Sequence, residues 1–228
     1  MRRHAVLLAV CTALLGGCGR TSEPEHSPVP AASQEEATRD GLVRLFDGHS
    51  FDGWDGDIGG TWRIEEGALV GGSLVATVPH NEFLATTREF SDFVLRLQFK
   101  LLGDDGFVNA GVQVRSQRVP DHYEMVGYQL DMGDPAWWGS LYDESRRNRV
   151  LAQSDMDAVN RVLRRNDWNT YEIHCQGPRV RAYINGQLTI DYTEDDASIP
   201  QTGRIGLQIH GGGRAEAWYR DITIRPLP

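Results

Sequence analysis

The sequence predicts an all-β protein built as an antiparallel β-sandwich, on three observations. Apolar and polar residues alternate with period two through much of residues 41–228, helical periodicity is scarce, and glycine-rich turns separate the alternating runs. Each run is apolar on one side only, so two sheets must close face to face over a common core.

The runs follow in order. Phe93, Leu95, Leu97 and Phe99 alternate with Val94, Arg96, Gln98 and Lys100, and Ala110, Val112 and Val114 alternate with Asn109, Gly111, Gln113 and Arg115. Tyr128 and Leu130 stand against Gln129 and Asp131. Tyr171, Ile173 and Cys175 form a run with Glu172 and His174 on the other parity. Val180, Ala182 and Ile184 lead into Asn185-Gly186, which reads as a hairpin turn. Ile205, Leu207 and Ile209 alternate with Gln208 and His210, and Trp218, Arg220, Ile222 and Ile224 form the last strand, ended by Pro226. Residues 158–165 read as a short peripheral helix or an ordered loop.

The first forty residues are an address and a tether. Arg2 and Arg3 precede an apolar run, residues 5–15, too short to span a bilayer but suited to a secretory signal. Leu15-Gly16-Gly17-Cys18 resembles a bacterial lipobox, which implies a signal peptide over 1–17 and lipidation of Cys18. Residues 18–40, rich in Pro, Ser, Glu, Ala and Thr, cannot bury enough surface to fold and read as a disordered tether. The domain is then 41–228, in an exported protein lipid-anchored to a bacterial membrane, with the outer membrane or a periplasm-facing position expected. Acyl chains are the expected membrane contact. The net charge of −9, with no basic stripe, argues against nucleic acid. Cys175 is the one cysteine of the domain and sits on the apolar parity of its strand, so it reads as a buried, inert thiol.

The polar parity consists of Asn, Gln, Arg, Asp, Glu and His, residues able to make several directed hydrogen bonds each. Residues 127–148 add a break at Gly133-Asp134-Pro135 and a loop holding Trp137, Trp138, Tyr142, Asp143, Glu144, Arg146 and Arg147. Aromatic faces cover the C–H faces of a pyranose, and charged planar groups grip its hydroxyls in pairs. The alternative is a surface loop whose tryptophans cover the core.

Longer motifs resemble a known family. Leu45-Phe46-Asp47-Gly48, Gly53-Trp54 and Trp62-Arg63-Ile64-Glu65-Glu66-Gly67 look like the opening of the 3-keto-disaccharide hydrolase domain. Asn109-Ala110-Gly111-Val112, Gly127-Tyr128-Gln129, Trp138-Gly139-Ser140-Leu141-Tyr142-Asp143 and Gly203-Arg204-Ile205-Gly206 continue it in order. The resemblance implies a concanavalin/laminarinase-like jelly roll with the site on its concave face. It also implies cleavage of 3-keto-glycosides or 3-keto-disaccharides, an oxidised saccharide as substrate, and an upstream sugar 3-dehydrogenase to supply it.

A ketone at C3 makes the C2 proton acidic, so a base can remove it and the C1 substituent can leave by elimination, followed by hydration. Such a site needs a base, an acid for the leaving oxygen, and a donor at the enolate oxygen. Asp131, Glu144 and His210 are the candidate proton carriers, with the assignment of base and acid left open among them. Each has a structural ion pair or strand-end cap as its alternative. Arg115 is a candidate to hold the enolate or a hydroxyl pair. Asn109, Gln113, Gln129 and Gln208 are candidates to position hydroxyls, and Trp138 and Tyr142 to cover a sugar face. Glu172 is a candidate on the polar face of a neighbouring element. No cofactor is expected. A divalent metal on Asp131, Glu144, Glu172 and His210 is the alternative enolate stabiliser, although no local metal-binding spacing is present. Two rival functions stand beside this one. A non-catalytic, lectin-like carbohydrate-binding module would use the same fold. A laminarinase-type glycanase needs a Glu-x-Asp-x-x-Glu strand that the chain lacks.

Overall fold

The structure is a computed structural model and describes residues 41–228. The signal, Cys18 and the tether lie outside the described residues. Fifteen strands and one short helix make up the described residues. In the first sheet the hydrogen-bonded order is β3 (Trp62–Glu65), β4 (Ala68–Ser73), β15 (Gly213–Pro226), β6 (Phe93–Gly106), β11 (Asn169–Gln176), β12 (Arg179–Ile184) and β13 (Gln187–Thr193). β1 (Val43–Arg44) adds to β15. In the second sheet the order is β2 (Trp54–Asp55), β5 (Glu82–Phe90), β14 (Gly203–Ile209), β7 (Asn109–Arg118), β8 (Met125–Gly133), β9 (Leu141–Glu144) and β10 (Val150–Ala152). These strands pair antiparallel throughout, and the sandwich is a jelly roll.

The alternation builds the core as the sequence predicts. Leu95, Leu97 and Phe99 of β6, Tyr171 and Ile173 of β11, Val112 of β7, Leu130 of β8 and Leu207 of β14 share one buried cluster. Burying such side chains contributes roughly 1.5–3 kcal/mol each. Two tyrosines of the first sheet cross this core and end on the backbone of the second. Tyr171 Oη donates to Asp131 O at 3.1 Å, and Tyr219 Oη donates to Gln208 O at 2.7 Å and Gly111 O at 3.1 Å. They tie three adjacent strands, β8, β7 and β14, from beneath.

Asn185 and Gly186 take φ of +49° and +82° and close the β12–β13 hairpin. The helix, α1 (Met156–Asn160), starts earlier than its apolar residues suggest. Asp155 caps it, accepting from Asp157 N at 3.0 Å and Ala158 N at 3.1 Å. Cys175 is fully buried, and burial pushes its thiol up to about 12, so it is inert at neutral pH.

Candidate active site

The outer face of the second sheet carries the polar parity. Tyr142 of β9 stands opposite Gln129 of β8, which stands opposite Gln113 of β7. One row along, Asp131 stands opposite Gly111, and Gly111 opposite Gln208 of β14. Glu144 faces Gly127, so no side chain from β8 crowds its position. Above this patch is an open cleft of about 150 Å³. Asn109, Gln129, Asp131, Tyr142, Glu144 and His210 line it, together with Phe107 and Trp137. Three strands, β7, β8 and β9, and the loop that follows β14 thus bring six of the sequence candidates to one place.

Two carboxyls set its electrostatics. Asp131 is 3% exposed, and burial drives its pKa well above the usual carboxylate range. The hydrogen bond from Gln129 opposes that rise, and the charge of Glu144 adds to it. Glu144 is pushed up to about 7, first by burial and then by the charge of Glu124, with Gln208 opposing. His210 Nδ1 lies 2.7 Å from Gly211 O, an acceptor, so Nδ1 carries the hydrogen and Nε2 is the acceptor of the neutral ring. The edge of Phe107 meets the His210 ring at a centroid distance of 4.6 Å. Asn109 is 3% exposed, and its amide makes no side-chain hydrogen bond among the described residues, although it lines the cleft.

The glutamines differ from their expected role. Gln113 and Gln208 have no exposed surface, and Gln129 only 2%, so two of the three cannot touch a ligand. They bond to one another and to the acids. Gln113 Nε2 donates to Gln129 Oε1 at 3.2 Å, and Gln129 Nε2 donates to Asp131 Oδ1 at 2.8 Å and Gln208 Oε1 at 2.9 Å. Gln208 Nε2 reaches Glu144 Oε2 at 3.4 Å. Gly111 makes room for this: a Cβ there would lie 2.7 Å from Gln129 Cγ and Cδ.

Three sequence candidates lie elsewhere. Arg115 is buried away from the cleft. Its guanidinium binds Ser91 O, Gly177 O, Gln201 Oε1 and Asp92 Oδ1. The cause is a bulge: Arg115 has φ of +51° and the β7–β8 register slips between Val114 and Gln117, which ends the parity. Trp138 turns into the core, stacks on Phe99 and donates to Asp134 Oδ1 at 3.0 Å. Its neighbour Trp137 is the tryptophan of the cleft, edge-on to Tyr142. Glu172 lies on the outer face of the first sheet, paired with Arg96 at 2.6 Å and His174 at 2.5 Å. Parity gives the face of a strand but not the sheet, so Glu172 was not separable by sequence. Phe107 and Trp137 went unassigned for a related reason: both sit outside the alternating runs.

With Glu172 on the other sheet, the four candidate metal ligands do not meet. Among the described residues no group of three or more His, Cys, Asp or Glu is placed to hold a metal ion.

Residues 41–225 match the 3-keto-alpha-glucoside-1,2-lyase-like domain. The chain belongs to that family. Among solved structures it is similar to a glycosyl hydrolase candidate from Parabacteroides distasonis ATCC 8503, at 18% identity and a TM-score of 0.63 over 82% of this chain and 94% of that one. A carbohydrate-binding module, CBM66, from Bacillus subtilis is similar at 18% identity and a TM-score of 0.59, over 76% and 95%. A Bacillus licheniformis β-glucanase follows at 11% identity and a TM-score of 0.54, over 84% and 100%. These likenesses establish the jelly-roll fold of this family member. No curated protein matches the chain.

Proposed function

We propose that the protein cleaves glycosides already oxidised to a ketone at C3, by eliminating the C1 substituent and hydrating the product. The observation that carries this reading is the pair Asp131 and Glu144 in one cleft, the first pushed by burial toward its protonated form and the second raised to about 7. A keto-glycoside needs that combination of acid and base.

Glu144, once ionised, takes the C2 proton, and the electron pair moves into the C2–C3 bond as the C3 oxygen becomes an enolate. Asn109, whose amide makes no side-chain hydrogen bond among the described residues and lines the cleft, donates to that oxygen. The enolate collapses, C1=C2 forms and the C1–O bond breaks, with the proton of Asp131 passing to the leaving oxygen. Water then adds at C1, giving a proton to His210 Nε2, while Glu144, its proton exchanged with solvent in the meantime, delivers a proton to C2. His210 passes its proton through solvent to Asp131, and the site is restored. Trp137 and Tyr142 cover a face of the ring. The same reading has the protein exported and anchored through Cys18, with a sugar 3-dehydrogenase upstream.

The test is release of a chromogenic leaving group from a 3-keto-glucoside and from its unoxidised parent. Release from the keto form alone supports the reading. Binding of an unoxidised glycan, with no turnover of either compound, would replace it with a lectin-like module.

A further inference from the structure

The glutamines beneath the cleft present a chemical puzzle. Beside them the same sheet face is apolar: Phe83, Ala85 and Met125 form their own buried cluster, and Met125 borders Gln113 across Gly206. Three fully or nearly fully buried amides replace such residues directly behind Asp131 and Glu144. The cluster is not even self-satisfied, because Gln113 Oε1 is buried without a partner. A cluster kept only for packing would be better served by the apolar residues alongside it.

Counting donors fixes its direction. Gln129 Oε1 accepts from Gln113, so Gln129 Nε2 spends one hydrogen on Asp131 Oδ1 and the other on Gln208 Oε1. Gln208, having accepted, offers its own hydrogens to Glu144 Oε2. Turning Gln129 over would set its carbonyl oxygen against that of Gln208 and its amide nitrogen against that of Gln113. The donors therefore run outward from Gln113 to both acids. The carboxyl of Asp131 makes no other hydrogen bond among the described residues.

We propose that Gln129 and Gln208 are positioning residues that give the two acids different tasks. Gln129 occupies Asp131 Oδ1 as an acceptor, so the proton of Asp131 resides on Oδ2, where it is available to a leaving oxygen. Gln208 holds Glu144 by Oε2 as a carboxylate, ready to accept. Gly111 is part of the device, since only a residue without Cβ lets Gln129 lie across β7 to reach Gln208. The inference rests on the cleft being the reaction site proposed above.

The test compares Gln129→Met and Gln208→Met, which keep length and lose the donor, in the full chain. Two readouts are taken: the pH profile of kcat/KM on a 3-keto-glucoside, and the pH titration of 13C-labelled Asp and Glu carboxyls. Gln208→Met is expected to move the Glu144 titration to higher pH and that of Asp131 much less. Gln129→Met is expected to move both acids, with kcat falling about 10-fold or more and KM little changed. Gln129→Glu provides a variant of near-native shape, expected to work only where its own carboxyl is protonated, so that its activity falls as pH rises. Unmoved titrations and pH limbs, with a lower Tm alone, would mark the glutamines as packing and overturn the proposal. The carboxyl titrations decide this even where keto-glycosides prove not to be turned over. Shifted titrations without turnover overturn the substrate assignment and leave the positioning in place.

Discussion

Asp143 and Glu144 are consecutive in β9 and face opposite sides of the same sheet. Asp143 stands opposite Tyr128, inside the sandwich, and is held by Arg146 and Arg147. Arg147 continues to Glu194 at 2.7 Å, and Tyr128 Oη donates to the same carboxyl at 2.7 Å. Glu144 turns the other way, into the cleft. An ion-pair network thus pins the backbone of one residue while its neighbour's carboxyl has no ion-pair partner among the described residues, so burial and the charge of Glu124 keep Glu144 high.

That arrangement has a stability signature. Glu144 titrates at about 7 when folded, against an ordinary value of 4.5. Between those values the folded chain keeps a proton that the unfolded chain has lost. The group's contribution is therefore fully present below about pH 4.5 and is lost as pH rises through 7. Glu144→Gln removes the loss, so its stability relative to wild type should grow by roughly 3 kcal/mol between about pH 5 and pH 8. Urea unfolding at both pH values measures it, and a constant difference would contradict the assignment.

Gly111→Ala places a Cβ on the Gln129 side chain, whose nearest atoms are 2.7 Å away. Overpacking of this kind costs about 1–3 kcal/mol. The displaced amide should also release Asp131, so turnover falls further than the stability loss explains. Thermal melting and the keto-glycoside assay on the same samples separate the two effects.

The paired tryptophans should part company on substitution. Trp138→Ala empties core space against Phe99 and should cost about 3–5 kcal/mol. Trp137→Ala, at the half-buried cleft wall, should leave stability within about 1 kcal/mol and raise KM. Denaturant melts and steady-state kinetics report on each.

Arg115→Met should leave Asp92 without its cation and open the hub that joins Ser91, Gly177 and Gln201. Breaking a buried pair from one side costs roughly 3–5 kcal/mol. The kcat of the folded fraction should be unchanged, because no atom of Arg115 lines the cleft. A loss of kcat without a loss of stability would restore Arg115 to the site.

The sequence made the strands and much of the cleft legible because period-two parity survives wherever pairing is regular. Asn109, Gln129, Asp131 and His210 follow from parity alone, and Tyr142 and Glu144 from their place after the loop. Parity failed where the backbone departs from the pleat. The left-handed turn at Arg115 reverses a side chain that counting places in the site. The loop after Gly133 decides between Trp137 and Trp138 by local bonds, such as Ser154 Oγ to Trp138 O at 2.7 Å, that no periodicity encodes. Glu172 shows a third limit, since its alternation is correct and its sheet is the other one. Burial of the glutamines was equally hidden, because a hydrogen-bonding residue on a polar parity reads as exposed until its neighbours are known.

The most direct test of the central claim is exchange at C2. In heavy water, the wild-type protein and Glu144→Gln are each mixed with a 3-keto-glucoside, and deuterium at C2 is followed by NMR alongside release of the C1 substituent. The account predicts deuterium at C2 of the wild-type product, and loss of both exchange and release in the variant by about 100-fold or more. Cleavage by the wild type with no deuterium at C2, or full exchange in Glu144→Gln, would contradict proton abstraction by Glu144.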